Sequence, residues 1–563
     1  MKYWPGFLLL LASWLQPLHL LPWVSWHSEV LAFAAISWFF AVELMEQKKQ
    51  RCHFFVWPTA AFLPLVMVLL VWIQFGLGLI HFFGDALVIC FYLAMCSVAI
   101  AVGGAWGARS LSEGINPNTQ SLVYQLAIAL SACAVLSVFL ALAQAFDVWN
   151  LVDWIVRLPG FRRPGANVGQ PNHFATLQLM GVASVGLLFE SRRVGYALAN
   201  VLLALLVLGL AMSESRTGLL SAVVLTAWWV FKRRVVPFRF TAAPIIAGWI
   251  GLLFLLWAWP KFITHCYFVS GGASLDTSAG SRLLVWAQLL EAAMQHPWLG
   301  WGFREISKAH NAILDHYQHS EPFTYAHNLV LDLVVGLGFP IAVALLGFLA
   351  NWFWHRLRST TSLVPWYCIA LVVPVVVHSM LEYPFSYAYF LIPVMLVVGV
   401  LEAHLAPSRI YRWRLSFTAM SALLLLLFLA WSVTEYVRIE EDFRVARFDA
   451  LHIGKTPIEY ERPTTYLLTQ LDTMVTATRI VPSSGMNISE IELLRSAAMR
   501  FPWTAIQNRY ALALALNGNR EEAVRQLKVM RAMHGEKTYA GIRANWEALA
   551  ESKYPELGKL KFP

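Results

Sequence analysis

Charge is what this sequence has least of. Only 13% of its 563 residues are charged, against about 25% in a soluble domain. That shortage excludes an ordinary water-soluble fold, which needs a charged surface. Cysteine is scarce too. The six residues are scattered singly, mostly in or beside apolar runs, and make neither a CxxC site nor a disulfide framework. No Asp-x-Asp string occurs in the polar loops, so the sequence demands no metal and no cofactor. Met1 to Trp26 lacks a small-residue cleavage site and reads as a retained first span.

What is abundant is apolar surface. Hydrophobic residues make up 58% of the chain, and mean hydropathy is +0.58. Many runs approach twenty residues, the length that crosses a bilayer. The expected spans are 6–22, 28–44, 55–73, 85–105, 121–146, 173–190, 195–212, 217–231, 242–259, 329–351, 365–381, 386–403 and 415–434. In lipid each must be helical, because no water is present to satisfy the backbone. The expected fold is therefore all-α: a polytopic bundle of about thirteen transmembrane helices.

The loops alternate in charge. One set carries Lys48, Lys49, Arg51, Arg109, Arg192, Arg193, Lys232 to Arg234, Arg239, Arg356, Arg358, Arg409, Arg412 and Arg414. The short loops of the other set, near 23–27, 74–84 and 382–385, have no Lys or Arg. The positive-inside rule puts the basic set and the N-terminus in the cytoplasm. The formal charge of +9 thus reports topology, not a nucleic-acid partner. The segments 147–172, 213–216, 260–328 and 382–385 fall outside, as does the tail. Two domains are expected: 1–434 in the membrane, with a large outer loop at 260–328, and 435–563 as an outer helical tail. In the tail, small and apolar residues recur at helical spacing over Asn508–Ala515. The run breaks at Asn517-Gly518, and a second amphipathic helix follows. This is a tetratricopeptide-like hairpin, either a cap on the membrane domain or a docking surface.

Hydrogen-bonding residues collect on the outer side. Gln170, Asn172 and His173 stand at the entry to one span. Asn172 suits a helix cap, but capping explains one polar residue and not three. Arg216 lies at a membrane boundary, in the turn Ser213–Gly218. There it is either a snorkelling anchor or a site residue, since charge beside a bilayer is costly. Arg282 begins a helix carrying Trp286 and Leu290. His310, His316 and His319 could chelate, yet no ligand pattern of known spacing accompanies them; they read as solvated loop histidines. His378 and Glu382 are four apart on one helix face. Tyr325-Ala326-His327-Asn328 closes the long loop, and Glu382-Tyr383-Pro384 turns between two spans.

Several strings occur in order: Gly169-Gln170-Pro171-Asn172-His173, Ser215-Arg216, Ser281-Arg282 with Trp286, Gly300-Trp301-Gly302, Ala326-His327-Asn328-Leu329 and Glu382-Tyr383-Pro384. Together they resemble the PglL-type bacterial protein O-oligosaccharyltransferases, relatives of the WaaL-type O-antigen ligases and Wzy polymerases. The resemblance covers roughly residues 5–440. It implies en bloc transfer of a glycan from undecaprenyl pyrophosphate to a hydroxyl of a periplasmic, pilin-like acceptor protein. The setting it implies is the inner membrane, with no nucleotide sugar. The family's functional histidine falls on His327, its glutamine on Gln170, its tyrosine on Tyr383 and its donor-binding arginines on Arg216 and Arg282. Asn172, His173, Tyr325, Asn328 and Glu382 complete the expected substrate site.

The chemistry agrees. Imidazole titrates near neutral pH and serves as a general base. Arginine stays charged and grips phosphate bidentately. Two alternatives stand. One is the same transfer onto lipid A core. The other is a transporter or flippase that only binds an anionic lipid, which charges buried in mid-span would favour.

Overall fold

The computed structural model describes residues 2–113, 121–148, 153–157, 163–267 and 279–563. Parts of the first and third outer segments, Arg162 among them, lie outside these residues. Among the described residues twenty α-helices run in order. They are α1 (Trp4–Leu15), α2 (Trp26–Lys49), α3 (Phe62–Gly76), α4 (Phe83–Glu113), α5 (Leu122–Ala145), α6 (Pro171–Glu190) and α7 (Tyr196–Met212). Then come α8 (Arg216–Lys232), α9 (Ala242–Tyr267), α10 (Ala279–Gln295), α11 (Ile306–Asn311), α12 (Leu329–Leu337), α13 (Phe339–Ser359) and α14 (Leu363–Ser379). Last are α15 (Ala388–Leu405), α16 (Leu415–Ala450), α17 (Thr469–Arg479), α18 (Ile488–Arg500), α19 (Thr504–Leu516) and α20 (Arg520–Ser552). Eight described helical segments are long and apolar enough to cross a bilayer, and α1, α7 and α14 are shorter apolar helices. The chain is a multi-pass membrane protein.

Contacts divide it into two compact units. The first holds 1–68, 91–272 and 350–430. Its core is fully buried Phe39, Leu126, Leu130, Leu177, Tyr367, Phe390 and Leu396. Helices α5 and α6 pack together, and α14 packs on α6 and α8. Small residues bring α4 and α15 into backbone contact. A Cβ on Gly103 would stand 1.9 Å from the Leu396 carbonyl oxygen, and one on Gly399 2.0 Å from that of Ile100. Without a hydrophobic drive between helices in lipid, such close approach supplies the packing attraction.

Two elements depart from the sequence expectation here. The third span was expected from residue 55, but 54–58 is a strand, β1 (Phe54–Pro58). It pairs antiparallel with β2 (Ile410–Arg414), Phe54 opposite Arg414 and Pro58 opposite Ile410. Aromatic and β-branched residues at 54–57 favour the extended form, and helix begins only after Pro58. Helix α1 ends at Leu15 rather than near 22, where Gln16 is extended ahead of Pro17, as a residue before proline tends to be.

The second unit holds 69–90, 273–349 and 431–563. Its core joins Val285, Leu289, Trp301, Leu314 and Val335 of the loop region to Val529 and Met533 of α20. Gln74 donates to the carbonyls of Leu299 (3.1 Å) and Gly336 (2.7 Å) and accepts the N–H of Phe303 (3.0 Å). The run expected as one span from 329 is broken at Gly338, between α12 and α13. Gly338 has φ +77°, and a Cβ there would lie 2.6 Å from Trp298 backbone, so only glycine fits. In the tail, α19 and α20 form a hairpin through Gly518 (φ +88°). Arg500 grips Asp85 bidentately at 2.7 and 2.9 Å, with both side chains buried.

Candidate functional site

The first unit gathers its polar residues where α6 and α8 begin and α14 ends. A turn at Ala166–Gly169, with Ala166 at φ +49° and Gly169 at +78°, delivers the chain to Pro171 at the start of α6. Buried Asn167 fixes that turn by donating to the Leu15 (2.6 Å) and Trp154 (2.8 Å) carbonyls. Gln170 occupies the N-cap position but makes no side-chain cap. Its amide instead donates to Glu382 Oε2 at 2.5 Å, and its Oε1 has no partner among the described residues. Asn172 is not the cap either. It donates to Glu382 Oε1 at 2.7 Å and accepts from Ser215 Oγ at 2.6 Å. Ser215 in turn caps α8 by accepting the Gly218 N–H at 2.9 Å. One carboxylate and one hydroxyl thus tie three helix ends together.

Arg216 follows that cap directly. It is exposed and makes no ion pair among the described residues. Arg163 reaches the same turn, its Nε donating to the Ser213 carbonyl at 3.0 Å. Burial lowers the Arg163 pKa; Glu214 and Glu382 oppose the shift and the like charge of Arg216 adds to it. Glu214, between Ser213 and Ser215, has φ +46°.

At the end of α14, His378 Nε2 lies 3.4 Å from Glu382 Oε2, as four-residue spacing on a helix implies. His378 Nδ1 meets Thr176 Oγ1 at 2.8 Å, and His173 Nδ1 meets the Tyr389 hydroxyl at 3.1 Å. The Tyr383 ring stacks on Tyr387 at 5.9 Å, and Tyr387 stands edge-on to His173 at 4.7 Å. His173, His378 and Glu382 bring three potential ligand atoms within 4.8 Å. Each already has a hydrogen-bond partner, so the trio is knit as a polar core.

The second unit carries Arg282, Tyr325, His327 and Asn328. Arg282 is half-buried near the start of α10. His327 has φ +53°, and its ring lies 4.6 Å from Phe323. Asn328 caps α12 by accepting the Leu331 N–H at 3.1 Å. Trp286 Nε1 donates to the Ala326 carbonyl at 2.8 Å, and Arg304 lies over the Tyr325 ring at 5.6 Å.

The three loop histidines part company. His316 is exposed and 3.1 Å from Glu291; His319 is exposed. His310 is not solvated as expected. It is fully buried and bonded to Gln288 (3.0 Å) and Ser320 (3.1 Å), and burial drops its pKa to about 4. Apolar residues at 306, 309 and 313 put position 310 on the inner face of α11, a signal the sequence reading passed over.

Sequence reasoning also missed Ser215, Thr176 and Tyr389 as partners. The Ser215 turn was visible. Its link to Glu382 through Asn172 spans too much chain for any local pattern.

Three family models match the chain. They are described as protein glycosylation ligase (residues 164–189), O-antigen ligase (201–346) and virulence factor membrane-bound polymerase, C-terminal (366–548). The general O-oligosaccharyltransferase of Acinetobacter baylyi is 26% identical over 543 residues, covering 93% of this chain and 90% of that one. The ComP-specific O-oligosaccharyltransferase of the same organism is 28% identical over 368 residues, covering 62% and 63%. By these matches the chain is similar to the bacterial O-oligosaccharyltransferases and O-antigen ligases, and it is an enzyme of the oligosaccharyltransferase class.

Proposed function

We propose that this enzyme transfers a preassembled glycan from undecaprenyl pyrophosphate to a Ser or Thr hydroxyl of a periplasmic, pilin-like acceptor protein. It sits in the inner membrane with thirteen spans and a cytoplasmic N-terminus; the tetratricopeptide-like tail, 435–563, is periplasmic. The observation that carries this reading is the first unit's hydrogen-bonded constellation, with Arg216 exposed beside it and without an ion-pair partner among the described residues. An exposed guanidinium at a helix start, where backbone N–H groups also point outward, suits a pyrophosphate.

The roles follow from chemistry. Arg216 and Arg282 are ligands of the donor phosphates. His327 takes the proton of the acceptor hydroxyl as that oxygen bonds to sugar C1. The C1–oxygen bond to pyrophosphate then breaks, its electron pair leaving on the lipid diphosphate. Attack from the opposite face inverts the anomeric centre. Glu382 orients Gln170 and Asn172, and Gln170 Oε1, unpartnered among the described residues, accepts a hydroxyl from glycan or acceptor. His173, Tyr325, Asn328 and Tyr383 complete the substrate site.

The test is mass spectrometry of pilin-like proteins from cells with and without the enzyme. Loss of an intact glycan from a Ser or Thr supports the reading; an unchanged glycan sinks it. The O-antigen ligase match over 201–346 favours a second reading, transfer onto lipid A core. Loss of long-chain lipopolysaccharide with unaltered proteins would select it.

A further inference from the structure

His327 stands in left-handed backbone, φ +53°, a region that non-glycine residues leave unless their surroundings hold them there. Glycine would adopt it freely, so the imidazole is kept at that position against the chain's own preference. What holds it is visible in the second unit. The Asp332 carboxyl accepts the backbone N–H of Ala326 at 3.1 Å, while the Asn328 side chain is tied to the Leu331 N–H at 3.1 Å. The Asp332 side chain thus holds the residue before His327, and the Asn328 cap holds the residue after it. The grip is built on helix geometry. Asn328 caps α12, and Asp332 lies in the first helical turn. The Trp286 indole fixes the Ala326 carbonyl from α10.

We propose that Asp332 is a positioning residue for transfer, acting through the His327 backbone and touching neither donor nor acceptor. The inference rests on His327 serving as the base. Its consequence is a kcat effect: with the grip lost, residues 326–328 relax toward ordinary backbone angles and the imidazole leaves its line with the acceptor hydroxyl. A displacement of about 1 Å can cost about 10²-fold in rate.

The experiment is a double-mutant cycle on full-length enzyme in detergent, with a synthetic polyprenyl-pyrophosphate glycan and an acceptor peptide. Asp332→Ala lowers kcat by roughly 10²-fold and leaves the donor KM within about twofold. Asp332→Asn keeps one acceptor oxygen and recovers part of the rate. In a His327→Ala background, Asp332→Ala changes the residual rate by less than about twofold, because residues acting as one unit are not additive. A merely structural aspartate would lower that residual rate by the same factor as in the parent enzyme, and that result overturns the proposal. So does a raised donor KM at unchanged kcat, which makes Asp332 a substrate ligand. Normal turnover by Asp332→Ala beside a crippled His327→Ala sinks this inference alone; normal turnover by His327→Ala sinks the base assignment and this inference with it. Should Asp332→Ala not accumulate, Asp332→Asn in both backgrounds gives the same readings.

Discussion

Compare the two kinds of helix end in the first unit. Where α2, α4, α13 and α15 finish, among the basic loops, buried carboxylates are matched by arginines. Glu43 pairs with Arg109 and also accepts from Tyr3 (2.8 Å) and Trp106 (3.0 Å). Glu402 takes Arg356 at 2.5 Å and Trp352 at 3.1 Å. Where α6 and α8 begin and α14 ends, the pattern changes. Glu382 is bonded by two amides and an imidazole and also acts on the Arg163 charge, while Arg216 is exposed without an ion pair among the described residues. Burying a charge is expensive unless it is paired and bonded. Helix ends that serve only architecture therefore close their charges on one another. A helix end that keeps a cation for solvent has it available for an anion that comes and goes.

Substitutions can break this contrast. Arg216→Ala gives the largest effect: transfer falls about 10³-fold while the protein still accumulates and elutes as a folded species. Arg216→Lys recovers little, because the planar fork is lost; near-normal transfer by either variant would reduce Arg216 to a membrane anchor. Arg356→Ala is the mirror experiment. Leaving Glu402 buried and unpaired costs about 3 kcal/mol of stability, read as a lowered melting temperature, while turnover per folded molecule holds. Lost turnover there would erase the distinction between the two kinds of end.

Smaller effects sharpen it. Glu382→Gln weakens two charge-assisted hydrogen bonds, each worth about 1.5–3 kcal/mol when intact, and transfer drops roughly 10–100-fold. In the second unit, burial pushes the Glu305 carboxyl up to about 7. The folded chain then holds a proton that the unfolded chain releases from about pH 4.5, the ordinary value. Stability accordingly falls, by about 3 kcal/mol, as pH rises through that window. Glu305→Gln should flatten the melting profile between pH 5 and 8. Last, EDTA should leave turnover unchanged; inhibition reversed by Zn²⁺ would turn His173, His378 and Glu382 into a metal site.

Much of this was legible in the residues, because a bilayer removes choices. Apolar runs had to become helices, and helix covers the body of each run from 28–44 to 415–434. His378 and Glu382 met because four-residue spacing is local. The strand at Phe54–Pro58 was not legible, since its partner lies far along the chain and an isolated apolar pentapeptide reads equally as the start of a span. Nor was the meeting of Asn172 with Glu382 and Ser215. The sequence offered each as a polar residue at a helix end; only packing of α14 on α6 and α8 says which ends coincide. His310 was misjudged because a histidine in a polar loop defaults to solvent, and its burial depends on Gln288 and Ser320 being there to bond it.

The β1–β2 ribbon has a consequence for how the protein is made. Phe54 pairs with Arg414, about 360 residues later. A ribosome adds roughly 5–20 residues per second, so the first strand waits about 20–70 seconds for its partner to exist. Through that interval its edge is exposed among nascent helices, and an unpaired strand edge invites foreign pairing. Closure therefore comes after most of the bundle is inserted, as a late latch. Non-local pairing of this kind is slow, so a nascent chain stalled before residue 410 should be far more open to protease around Phe54 than one extended past 430.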